Sequence, residues 1–244
     1  MNNNSFNIER LFLLIKRQST LNFYPMMIGI AGVFGILLLI SLIVTHADSA
    51  DYGNLYGLYM TVFFIAGYIF TSRILSELNS PGKSYGFLTL PASTFEKFIG
   101  SWLLSSPVYV LIFMIFITLI YLISTVTAGI EVSFAKMFDE TFFRIIWIFM
   151  VTQTIFFLGA CTFKSYNLLK TLFALFLIIA LVAAFAGLLI WILFGGQIQG
   201  DEFNDGFSMQ GEKFFTEVIP FIFFYVLGPV LLVVSYFKLK EREV

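Results

Sequence analysis

Six stretches of this sequence run for roughly twenty residues each without an Asp, Glu, Lys or Arg. They are Met26–Thr45, Leu55–Ser72, Trp102–Val126, Ile145–Phe163, Thr171–Phe194 and Val218–Phe237. A helix needs about 20 mostly apolar residues to cross a bilayer. Membrane strands would instead alternate over about 10 residues. Composition agrees: 59% of residues are hydrophobic and only 12% are charged, against about 25% charged in soluble domains. That removes a soluble globular fold, and disorder requires low hydrophobicity. A net charge of −1 lacks the Lys and Arg excess of a nucleic-acid binder. The expected fold is an all-α polytopic membrane protein with six transmembrane helices.

Orientation follows from basic residues at the span ends. With the N-terminus inside, one side carries 11 Lys and Arg and the other only Lys136, Arg144 and Lys213. Both termini are therefore expected in the cytoplasm. The acidic residues run the other way, with 5 inside and 10 outside. The first span has an apolar run longer than the ~7–15 residues of a signal peptide. It is expected to be retained, although Thr45-His46-Ala47 faintly resembles a cleavage site.

The chain divides into an N-terminal segment, residues 1–25, and a single six-helix membrane domain, residues 26–244, with a cytoplasmic loop at 73–101. In the first segment Ile8, Leu11, Phe12 and Ile15 recur at helical spacing. Glu9, Arg10, Lys16 and Arg17 lie opposite, and Leu13 and Leu14 widen the apolar face. This pattern predicts an amphipathic helix lying in the membrane interface. The plain alternative is an extension of the first span with basic anchors.

The loop at 73–101 opens with a turn signal, Ser80-Pro81-Gly82-Lys83. It ends in Leu88-Thr89-Leu90-Pro91-Ala92-Ser93-Thr94-Phe95-Glu96-Lys97-Phe98. Ser93 and Glu96 have capping-box spacing, so each can satisfy a free backbone N–H at a helix start. Phe95, Phe98, Ile99, Trp102 and Leu103 then form one stripe running into the third span. A short surface helix joined to a transmembrane helix is expected, and a mere well-capped connector fits the same residues. The outer loop at 195–217 is acidic and Gly-rich before turning apolar; a re-entrant segment and a solvated loop both fit it.

Catalytic chemistry is sparse. Ion-coupled carriers place ionisable groups inside their spans, and no span here contains one. Gln153, between two threonines, is the most polar intramembrane side chain, suited to bonding a neighbouring helix or to lining a pathway. Arg144 follows Glu140 by four residues, the spacing of a local ion pair. A lone Cys161 and a lone His46 exclude an intramolecular disulfide and any site needing two histidines. No P-loop, His-Glu-x-x-His or Gly-x-Ser-x-Gly pattern occurs. A proline within the last span, Gly228-Pro229, predicts a kink and a possible hinge.

Six spans with both ends inside, the N-terminal amphipathic helix, the Leu90-Pro91-Ala92-Ser93 segment before span three, and the acidic outer loop together resemble the ABC-2 type permeases of ATP-binding-cassette exporters. The larger outer domains of that family are missing, so the likeness is to a minimal member. It implies a multi-pass protein of the cell (cytoplasmic) membrane, working as a homodimer or heterodimer of permeases. A separate P-loop ATPase subunit would bind ATP and Mg, with no cofactor on this chain and no nucleic acid partner. Leu88, Leu90, Pro91, Ser93, Phe95, Glu96 and Lys97 would form the coupling segment. Ile8, Leu11, Phe12, Ile15, Lys16 and Arg17 would form the elbow helix. The chain would not be an enzyme by itself, and its substrate is unidentified. A non-transporting membrane scaffold or assembly factor is the alternative. An intramembrane enzyme or ion-coupled carrier would have to rely on Gln153 or Arg144.

Overall fold

A computed structural model of the chain describes residues 6–21, 23–47, 52–79, 84, 86–87, 89–129, 138–194 and 214–242. Among these there is no strand. In lipid no water satisfies an exposed N–H or C=O, so the backbone must bond within its own segment. Seven helices carry the fold: α1 Ile8–Leu21, α2 Phe23–Ala47, α3 Tyr52–Arg73, α4 Thr94–Ala128, α5 Glu140–Thr162, α6 Asn167–Phe194 and α7 Thr216–Glu241. Helices α2 to α7 are each long and apolar enough to cross a membrane. The chain is an all-α protein of the multi-pass membrane type.

Several boundaries move from those read in the sequence. The helix that carries the third span begins before Trp102, running from Thr94 through it. The capped surface segment is thus the first turns of α4 itself. Inside α4, Pro107 sits in a widened π-turn at Leu104–Val108, which accommodates the missing N–H without ending the helix. The last span behaves alike. A π-turn at Ile222–Leu227 directly precedes Gly228-Pro229, so regularity breaks where the proline is. Pro25 stands inside the first turn of α2, where a proline costs little. Gly129 ends α4 at φ +68° and donates its N–H to the carbonyls of Thr125 and Val126. That left-handed backbone suits glycine.

Helix α5 is the centre of the bundle, packed against α3, α6 and α7, while α2 packs on α4. An aromatic cluster fills the middle. The Phe63 ring lies 4.4 Å from Phe149 and 5.6 Å from Tyr109, and Tyr68 stacks on Phe156 at 4.1 Å. Gly67 makes room for it, because a Cβ there would overlap the Phe149 ring. Likewise a Cβ on Gly159 would overlap the Thr171 hydroxyl, so the Thr171 side chain of α6 packs directly on the bare backbone of α5. Towards one end, Tyr59 of α3 donates to Ser41 of α2 at 2.8 Å, and Ser41 pairs with Ser124 of α4 at 2.7 Å. This buried chain of hydroxyls ties three helices. Small residues and hydroxyls of this kind hold membrane helices together.

At the opposite end Phe95 packs edge-on to Tyr236, and Arg242 donates to the carbonyl of Thr162 at 2.9 Å. Helix α1 packs there too, against the start of α4. Helices α1 and α7 thus meet the start of α4 at one end of the bundle, hereafter the terminal end. The loop at 195–217 lies outside the described residues except for 214–217, which are helical and lead into α7. Replacing Gly159 with valine forces α5 and α6 apart. Overpacking of this kind costs ~1–3 kcal/mol, so Gly159→Val is expected to unfold several degrees below the wild type in a detergent thermal melt.

Candidate functional site

The capping box forms as the spacing predicts. Ser93 adopts extended backbone at the N-cap; its hydroxyl accepts from the Glu96 N–H at 3.2 Å, and Glu96 Oε2 accepts from the Ser93 N–H at 2.8 Å. Glu96 does more than close this box. Its other oxygen, Oε1, accepts from the backbone N–H of Asn7 at 2.7 Å and lies 3.5 Å from the Arg10 guanidinium. The Glu96 side chain is fully buried. A buried carboxylate is costly unless hydrogen-bonded and paired, and here both oxygens are engaged. Asn7 in turn accepts from the Glu9 N–H at 2.8 Å, capping α1. One carboxylate therefore starts α4 and anchors the start of α1.

Below this clamp α1 lies along α4. Leu11 and Leu14 are buried, and both reach Gly100, whose missing side chain lets the helices close. Gln18 donates to the Ser101 hydroxyl at 3.0 Å, and Arg17 pairs with Glu77 at 3.1 Å. The apolar face expected of α1 is split. Leu11 and Leu14 go inward, Ile15 is half-buried, and Ile8 and Phe12 stay exposed, as does Lys16. The reason is geometric: α4 covers only part of an apolar arc wider than one helix contact. Asn7 and Gln18 were not among the sequence candidates, and Arg10 entered only as part of the polar face of α1. Gln18 carried a signal, since it continues the Leu11–Leu14 row one turn on.

The coupling-segment candidates separate similarly. Glu96 and Lys97 are buried, and the Lys97 ammonium lies 5.7 Å over the Phe87 ring. Leu90 is half-buried against the cluster of Leu75, Phe87, Phe98 and Phe157. Pro91 is exposed, and so is Phe95, whose ring also meets Phe6 at 6.1 Å. Leu88 and the turn Ser80–Lys83 lie outside the described residues.

The intramembrane candidates are structural in placement. Gln153 is buried and donates to the Ser105 hydroxyl at 2.9 Å, linking α5 to the widened turn of α4. Gly228 faces α5 beside Val151, and Pro229 is exposed. Arg144 pairs with Glu140 at 3.1 Å, on the exposed surface. Cys161 is buried in the Phe157–Leu239 cluster. Among the described residues no group of three or more His, Cys, Asp or Glu could hold a metal.

Comparisons with models of protein families, with curated proteins and with solved structures return no match.

Glu96→Ala leaves the Asn7 N–H without its acceptor and removes the carboxylate beside Arg10. A buried group stripped of its partner costs ~1–3 kcal/mol, so amide exchange across the first turns of α1 is expected to rise about tenfold or more. Ser93→Ala removes only the cap hydroxyl, at ~1 kcal/mol, and is expected to leave α1 protected. Gln153→Leu breaks one interhelical bond; such bonds average ~0.6 kcal/mol, so a small drop in melting temperature is the expected readout.

Proposed function

We propose that this chain is the membrane-spanning permease subunit of an ATP-binding-cassette exporter of the ABC-2 type. It moves an unidentified substrate outward across the cell membrane, using ATP hydrolysed by a separate ATPase subunit. The observation that carries this reading is the Glu96 clamp. It makes α1 and the first turns of α4 one rigid unit at the terminal end, continuous with a membrane-crossing helix. A push on that unit from a partner below passes directly into the bundle. Exposed Pro91 and Phe95 are the side chains available to meet such a partner, with Leu90 half-covered beside them. Glu96 and Lys97 then position the segment from behind. The terminal end faces the cytoplasm in this scheme, as the basic residues favour. The lack of a P-loop in this chain leaves ATP and Mg to the partner, and the permease acts as a dimer.

Affinity purification from native membranes is expected to recover a P-loop ATPase. Phe95→Asp should lower its recovery about tenfold or more, as loss of an interface hot spot of ~2 kcal/mol does, while Lys164→Gln elsewhere on the surface leaves recovery unchanged. Recovery of no ATPase, together with another membrane protein in stable complex, would instead establish the scaffold alternative. A periplasmic-type enzyme reporter fused to the C-terminus is expected to stay inactive; an active fusion places the terminal end outside and removes the scheme.

A further inference from the structure

Near the terminal end α2, α3 and α4 part around a cavity of about 610 Å³. Sites for small ligands run ~300–1,000 Å³. Its walls are mostly apolar, with Val33 of α2, Ala66 of α3 and Phe113 of α4 among them. Polar side chains gather at one end, where α1 and α3 finish: Gln18, Arg73 and Ser76.

Two of these have unused bonding capacity. Arg73 is exposed and, among the described residues, makes no ion pair or hydrogen bond, whereas Arg10, Arg17, Arg144 and Arg242 all have partners. Gln18 is only 7% exposed, and one of its amide atoms bonds Ser101 while the other has no partner.

An apolar slot that ends at a guanidinium without an ion-pair partner has the chemistry of an acyl chain joined to an anion. We infer that this cavity holds one acyl chain of an anionic phospholipid, with the headgroup phosphate on Arg73 and Ser76. Arg meets phosphate through paired, charge-assisted hydrogen bonds. A surface dense in Lys and Arg also attracts anionic lipid within a Debye length. The lipid belongs to the leaflet at the terminal end. Its binding does not depend on transport or on an ATPase, so it stands apart from the permease reading.

Native mass spectrometry of the detergent-purified full chain tests this, with phosphatidylglycerol and phosphatidylcholine of matched chains as probes. Wild type is expected to retain phosphatidylglycerol about tenfold more tightly, a difference of ~1.4 kcal/mol. Arg73→Gln abolishes that preference and Arg73→Lys restores part of it. Ala66→Phe, which fills the slot, weakens both lipids. Lys164→Gln removes an equal charge from an exposed site outside the cavity lining and leaves the preference intact. Equal retention of the two lipids by wild type overturns the proposal. So does a preference that survives Arg73→Gln, or one lost equally in Lys164→Gln. Arg73 is exposed and its substitution spares the core, so its outcome decides even if Ala66→Phe does not fold.

Discussion

Lipid tails are as apolar as leucine, so a helix already inside a bilayer gains nothing from hiding its hydrophobic side chains. Everything that makes this chain a bundle rather than six separate helices must come from close packing and polar contacts. The structure uses both at few places. Gly67 and Gly159 remove the side chains that would hold α3 from α5 and α5 from α6. Ser41, Tyr59 and Ser124 join three helices through hydroxyls alone. Where such devices are missing the helices part, as at the cavity between α2, α3 and α4.

Charge works under the opposite rule. An ionised group inside the membrane is expensive, and the chain keeps its ionised groups at the ends. Glu96 is the instructive case. It is fully buried, yet it sits where two helices start and their free N–H groups converge on it. The desolvation cost is offset by those bonds and by Arg10. A carboxylate in that position ties the start of α1 to the start of α4.

Local features of this site were legible in the sequence. The Ser93–Glu96 box depends on residues three apart, so spacing alone predicts it. The Arg144–Glu140 pair is legible for the same reason. The bond from Glu96 to Asn7 spans 89 residues, and no periodicity encodes a contact of that separation. The same holds for Gln153, conspicuous as a buried amide in waiting, whose partner Ser105 lies 48 residues away. Helix ends were misplaced where the chain stays helical outside the apolar run, as in α4. Hydropathy marks where lipid begins, and a helix has no reason to stop there.

By itself the sequence determined the helical class, the six spans and the segregation of charge to the span ends, because each follows from what a bilayer tolerates. Tertiary structure alone decided which apolar residues meet protein. Helix α6 has a mean hydropathy of 2.9 in its most apolar window and buries none of it, while α5 reaches only 1.9 and buries 50% of its own. In water the more apolar helix would be the more buried one. In lipid both environments suit a leucine equally, so position in the bundle is settled by glycines, hydroxyls and one carboxylate, not by hydrophobicity.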